Sequence, residues 1–264
     1  MLRSRTSLRR SSGVREMFNK EFRDMRVRFL VMFFILLGTF VLLVVVKDYT
    51  QNLSEIIRSA PKNILEKFGV TDEFMKKLSR WDFYIITQWY GKNLGQFVPI
   101  LAIIMAFPVF AREIENETME LLLVRVKRRR LFMVKFFIPL VFTLLALVVL
   151  AVLPLPVSWI IGESLDASSV FRYLLVETIG IFLWFSITIF FSLLFSDQVK
   201  PLIVSIALLA GTTALGSFIK LLSILNTYLY ILKGDLVLWP SLAYTLAGVV
   251  FTYLSYKVLE TKDF

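Results

Sequence analysis

The chain has 264 residues, of which 57% are hydrophobic, with no Cys and no His. A mean hydropathy of +0.73 is more apolar sequence than a soluble core can hide, so the class is integral membrane protein; disulfides, thiolate metal sites, Cys nucleophiles and the commonest general base are excluded. The net charge of +10 fits basic cytoplasmic loops better than a nucleic-acid surface.

Residues 1–13, "MLRSRTSLRRSSG", read as a basic arm without structure that lies near anionic lipid. They have the Arg and Ser of a transit peptide but no cleavage signal. Val14, Phe18, Phe22, Met25 and Phe29 then recur on one helical face, with Arg15, Lys20, Arg23, Arg26 and Arg28 on others. That pattern predicts an amphipathic helix along the membrane surface. It leads into the first apolar run, 29–46, which is too long for a signal-peptide core.

The loop 47–92 predicts short helices: Pro61 suits a first turn, Gly69 a stop, and Thr71 a cap. Asp72–Lys76 and Glu73–Lys77 are spaced as i,i+4 pairs. Trp81, Phe83, Tyr84, Trp89 and Tyr90 predict an aromatic belt at the outer surface. Further spans are expected at 94–111, 136–161, 173–195, 201–219 and 236–256. Pro99, Pro108, Pro139, Pro154 and Pro156 predict kinks in the second and third spans, with a broken segment after Pro154. Residues 220–235 are too short to cross and return as full helices, and predict an interfacial or re-entrant helix.

Between spans two and three lies "REIENETMELLLVRVKRRRLFMVK", residues 112–135, with four acids and seven bases. Read as helix, it puts Glu113, Glu117 and Glu120 on one face, and Met119, Leu122, Leu123 and Val126 on a second. Acids lead and bases follow, as the helix dipole favours. The acids read as a solvated face or as a docking surface for a basic partner. If the N-terminus is inside, the inner segments hold 19 of the 30 Lys and Arg, so both termini are expected in the cytoplasm of a multi-pass plasma-membrane protein.

The run Glu113, Glu115, Thr118, Glu120, Leu121, Leu122, Leu123, followed by Arg128, Arg129 and Lys135, resembles the permeases of type-2 ATP-binding-cassette exporters. "MFNKEFRDMRVRF" is similar to that family's elbow helix, and the ending "YKVLETKDF" to its tail. The resemblance implies one all-α transmembrane permease domain over 1–264. It would have six transmembrane helices, an N-terminal interfacial elbow helix and a cytoplasmic coupling helix. It further implies a dimer of permeases, as a homodimer or with a paralogue, above separate ATPase subunits that bind ATP and Mg, with no cofactor on this chain. Glu113, Glu115, Glu117, Thr118, Glu120, Leu121, Leu122, Arg128 and Arg129 would carry the coupling. The family has Gly before the Thr and Pro before the basic cluster. Glu117 and Val126 stand there in this chain, which predicts a longer, less bent inner helix. No G-x-x-x-x-G-K-[ST] motif occurs, so nucleotide is expected on a partner.

In the fifth span, Ala207, Ala210, Gly211, Ala214 and Ser217 share a small-residue face. It suits packing within the subunit, a dimer seam or a pathway wall. Glu177, the one acid inside a span, either pairs at the outer interface near Arg172 or lends the pathway polarity. The alternatives to a permease are a non-transporting membrane scaffold or regulator and an intramembrane enzyme. The latter is disfavoured because the "KGD" at 233–235 is not G-x-G-D.

Overall fold

The structure, a computed structural model, describes the backbone of residues 2–58, 77 and 80–263, and the side chains of 19–47, 77 and 80–263. The predictions made for Pro61, Gly69, Thr71 and the pairs at 72–77 lie outside the described residues, as do the side chains of Val14 and Phe18.

Among the described residues there are eleven α-helices and no strand. They are α1 (Leu2–Arg58), α2 (Trp81–Ile85), α3 (Gly95–Ala106), α4 (Pro108–Glu115), α5 (Met119–Arg125), α6 (Arg128–Val152), α7 (Pro154–Ile160), α8 (Ala167–Leu194), α9 (Val199–Phe218), α10 (Thr227–Lys233) and α11 (Leu238–Thr261). A π-helical segment, Ile86–Leu94, joins α2 to α3, and a 3-10 turn, Lys220–Leu225, precedes α10. Six stretches are long and apolar enough to cross a membrane: Asn19–Lys47, Trp81–Glu115, Arg128–Ile160, Ala167–Leu194, Val199–Phe218 and Leu238–Thr261. This is the expected six-span, all-α membrane architecture, and each span overlaps one of the apolar runs of the sequence.

Helix α8 is the central post, packed on α11, α3, α6 and α9. It runs parallel to α11 in a fixed register. Gly248 leaves room for the Phe182 ring, where a Cβ would come within 2.7 Å, and Thr252 donates to Ser186 at 3.0 Å. In lipid such contacts act through close packing and hydrogen bonding, since lipid chains solvate apolar surface as well as Leu does.

Four expectations need correction. First, residues 2–13 are not without structure: α1 runs from Leu2 to Arg58, through the stretch expected as a surface helix and on into the first span. Second, the aromatic residues at 81–90 form no belt. Trp81, Tyr84, Trp89 and Tyr90 are buried, because the second span begins at Trp81 rather than Leu94. Their polar tips serve the kink in the third span. Pro154 has no N–H for the Leu150 carbonyl. The Trp89 indole donates to that carbonyl at 3.2 Å, Tyr90 donates to Ala151 O, and Trp81 donates to Ser158 Oγ at 2.6 Å. The exposed tryptophans are instead Trp159 at 84% and Trp239 at 79%.

Third, the second span is not a plain helix. Its π-helical segment packs on α10, and the Gly95 N–H closes on Tyr90 O. A Cβ on Gly95 would lie 2.3 Å from that oxygen, so this position requires glycine. The span breaks again at Phe107, ahead of Pro108. Ser192 of α8 repairs this break by donating to Phe107 O at 2.7 Å and accepting from the Phe110 and Ala111 amides. Fourth, residues 112–135 are three helical pieces rather than one helix, as described in the next subsection.

The segment 219–236 folds back against α8. Thr227 Oγ1 accepts from the Trp184 indole at 3.1 Å, and Trp184 is well past the midpoint of α8. Ile231 lies against Gly180, and Gly234, with φ +61°, lies against the Tyr173 ring. Helix α10 therefore starts deep in the bundle and returns to the end where α8 begins. Asn226 and Thr227, where the chain turns into α10, are buried, whereas the 3-10 turn before them buries no residue.

Candidate functional site

The charge block folds as two turns around a short helix. Helix α4 ends at Glu115. Glu117 then adopts φ +55°, with Thr118 N donating to Glu113 O at 2.9 Å and Glu117 N to Ile114 O at 3.1 Å. This is a Schellman closure, whose left-handed residue is usually Gly. The chain thus keeps the turn without the glycine, at a backbone cost of about 1–2 kcal/mol. The second turn comes at Val126, which is extended at φ −135° and ψ 138°, so the missing Pro is also not needed. The expected longer, straighter inner helix is overturned. Its two breaks fall where the departures from the family pattern, Glu117 and Val126, occur.

Between the turns, α5 buries Met119 and exposes Leu121 at 64% and Val124 at 87%. Glu115, Glu117, Glu120, Arg125, Arg129 and Arg130 are exposed around it, and Leu122 and Leu123 are half-buried. An open groove of about 330 Å³ is lined by Ile114, Glu117, Met119 and Glu120. Glu115 accepts from Gln198 at the start of α9.

The shared face of Glu113, Glu117 and Glu120 does not exist. Glu113 is buried and is the hub of an internal network. Its carboxylate accepts from Lys20 of α1 at 2.7 and 2.9 Å, from Lys135 of α6 at 3.2 Å, and from the Thr118 hydroxyl. Lys135 also donates to Glu21 and to Val109 O at 3.2 Å, while Arg112 pairs with Asp24. Three acids and three bases from α1, α4 and α6 thus neutralise one another beneath the first turn. Thr118 ties that turn to them.

Arg128 is also used internally. It donates to the Leu259, Glu260 and Lys262 carbonyls at 2.7, 2.9 and 2.8 Å, closing the C-terminus of α11. Lys262 donates to Leu193 and Leu194 O, doing the same for α8. Burial lowers the Lys262 pKa.

Of the predicted coupling residues, the structure gathers Glu115, Glu117, Glu120, Leu121 and Arg129 on the surface at this end. It turns Glu113 and Arg128 inward, and leaves Thr118 and Leu122 between the two groups. Sequence reasoning missed Lys20, Glu21, Asp24 and Arg112 as partners. The i,i+4 pair Lys20–Asp24, with Glu21 beside it on a face leading into a span, was a usable signal.

Elsewhere, Ala207, Gly211, Ala214 and Ser217 are all exposed on α9; of the four, Ser217 accepts from the Asn226 amide at 2.9 Å. Glu177 does not reach an interface partner. It is fully buried, and neither carboxyl oxygen has a hydrogen-bond partner.

No curated protein and no solved structure matches the chain. The family described as "ABC-2 family transporter protein" matches residues 16–264. With six membrane-spanning helices and a match across nearly its whole length, the chain belongs to the ABC-2 transporter family.

Proposed function

We propose that the chain is the permease subunit of an ATP-driven exporter, coupled to separate ATPase subunits through the twice-broken segment 112–135. The observation that carries this reading is α5. It is a short helix held between two fixed turns, presenting Leu121 and Val124 with Glu117 and Glu120 on the side of the groove. An apolar knob with an acidic flank fits a partner surface that offers an apolar pocket and bases. ATP and Mg belong to that partner. The segment faces the cytoplasm, as its Lys and Arg favour, and both termini lie on the same side. Two permeases pair to form the pathway, and the exposed stripe of Ala207, Gly211, Ala214 and Ser217 supports a close helix contact between them.

Force from the partner would reach the bundle through the Thr118–Glu113 link, which ties the first turn to α1 and α6 at once. A partner that grips α5 differently in its two nucleotide states would bias the bundle between two arrangements.

The test is co-expression with the ATPase encoded in the same gene neighbourhood, with and without Glu117→Lys and Glu120→Lys. Glu113 is left intact because its reversal would break the internal network. The reversal is expected to weaken co-purification, or ATP turnover by the complex, at least about tenfold. Unchanged assembly and turnover would remove α5 as the coupling element.

A further inference from the structure

Tyr173, Glu177, Gly180 and Trp184 form one stripe of α8, at i, i+4, i+7 and i+11. Helix α10 lies antiparallel along it. Thr227 meets Trp184, Ile231 meets Gly180, and Gly234 meets Tyr173. Glu177 is the stripe position between the last two contacts. The π-helical segment closes the site from another side, with the Tyr90 ring stacked on Tyr173 at a centroid distance of 5.0 Å. Val98 of α3 also reaches the stripe, within 3.4 Å of where a Gly180 Cβ would stand.

Glu177 lies ten residues into α8, about 15 Å along the helix. Both its oxygens are buried without a partner. The titratable groups that face it are Tyr90 from the π-helical segment and Tyr173 from its own helix. Arg172 and Asp235 act on Tyr173. From α10 the covering residues are Thr227, Ile231 and Gly234, and from α3 Val98, none of them titratable. An ionised carboxylate cannot be left in such a place without a counter-charge or water. The elements that cover it are a seven-residue helix, α10, and a π-helical segment. π-Helical insertions recur at functional sites.

We propose that Glu177 is a proton-binding switch for the seating of helix α10. With its proton aboard, the acid accepts α10 seated on α8. When the proton leaves to solvent, the carboxylate draws in water and α10 lifts off the stripe. Seating and proton binding are then one linked equilibrium, and the ratio of lifted to seated protein rises about tenfold for each pH unit above the transition. No ATPase is needed for this, so the test uses the purified full chain, and a failed coupling to an ATPase would leave the result readable.

Because the chain has no Cys, nitroxides can be placed only where wanted. Leu229→Cys on α10 and Met133→Cys on α6 are both exposed positions. In lipid nanodiscs, the inter-label distance is measured by pulsed electron resonance across the accessible pH range. A second distance population that grows reversibly with pH, and is absent at every pH when Glu177→Gln is added, is the expected result. On the chain with Glu177 intact, infrared spectroscopy gives a second measurement that does not depend on that variant folding. The neutral-carboxyl band should vanish over the same pH range in which the distance changes. A distance that ignores pH, or one that shifts equally in the Gln variant, would overturn the proposal. So would a carboxyl band that disappears with α10 still seated.

Discussion

Lys135 illustrates how one residue can hold several helices. Its ammonium is buried against Glu21, Glu113 and Val109 O, so α1, α4 and α6 meet at one nitrogen. Removing it leaves two buried carboxylates with one fewer counter-charge. Lys135→Met is therefore expected to destabilise the protein by about 3–5 kcal/mol, measured as thermal unfolding in nanodiscs. Adding Glu21→Gln should restore part of the loss. A Lys135→Met chain as stable as the parent would show that Lys20 neutralises Glu113 without help. Glu113 itself could be placed on a helix from the sequence, but its surroundings could not. Its two cationic partners are 93 and 22 positions away, and helical spacing carries no information about contacts at that range. The same holds for Glu177: its position inside a span was legible, while its isolation depends on the arrival of α10 and the π-helical segment.

At the scale of elements, helix ends are set by short-range contacts that the apolar runs do not show: the fourth span, expected from 173, begins at Ala167. Helix α8 starts at an Asp166 cap that accepts from the Ser168 and Ser169 amides at 3.1 and 3.0 Å and from both hydroxyls. The Ser168 and Ser169 side chains, followed by the two amides, hold the Asp166 carboxyl below its ordinary value of 3.8. A depressed carboxylate stabilises the fold fully above that ordinary value, and its contribution fades as pH falls through the folded value. Asp166→Ala should therefore lower the melting temperature at neutral pH and converge with the parent in strong acid. A constant gap at all pH values would mean the cap acts without its charge. The π-helical segment left no trace in composition, because an i→i+5 register uses the same residues as an α-helix. Gly91 and Gly95 were the available hints. Without the family's Gly and Pro a longer, less bent inner helix was expected, yet two turns form, at Glu117 and Val126. Intrachain contacts hold them: Thr118 on Glu113 at the first, and Arg128 on the end of α11 at the second.

For the whole molecule, the exposed small-residue face of α9 is the most direct route to the assembly. In this Cys-free chain, Ala214→Cys should give a disulfide-linked dimer under mild oxidation if two α9 helices approach closely, since disulfides form only at Cα separations up to about 7 Å. Val249→Cys, exposed on α11, should not. Cross-linking at Val249 but not at Ala214 would move the seam to another helix.

The sequence by itself determined the class, the six spans and the location of the charge block. Hydropathy over some twenty residues is a local property, and a bilayer reads it locally. Only the tertiary structure decided which charges are internal and which are free to meet a partner. It also decided that the aromatic run at 81–90 mends a kink instead of anchoring to lipid, and that Glu177 has no partner. Each of these depends on which distant helix fills the neighbouring space, and in a bundle packed by close contact that is a property of the whole arrangement.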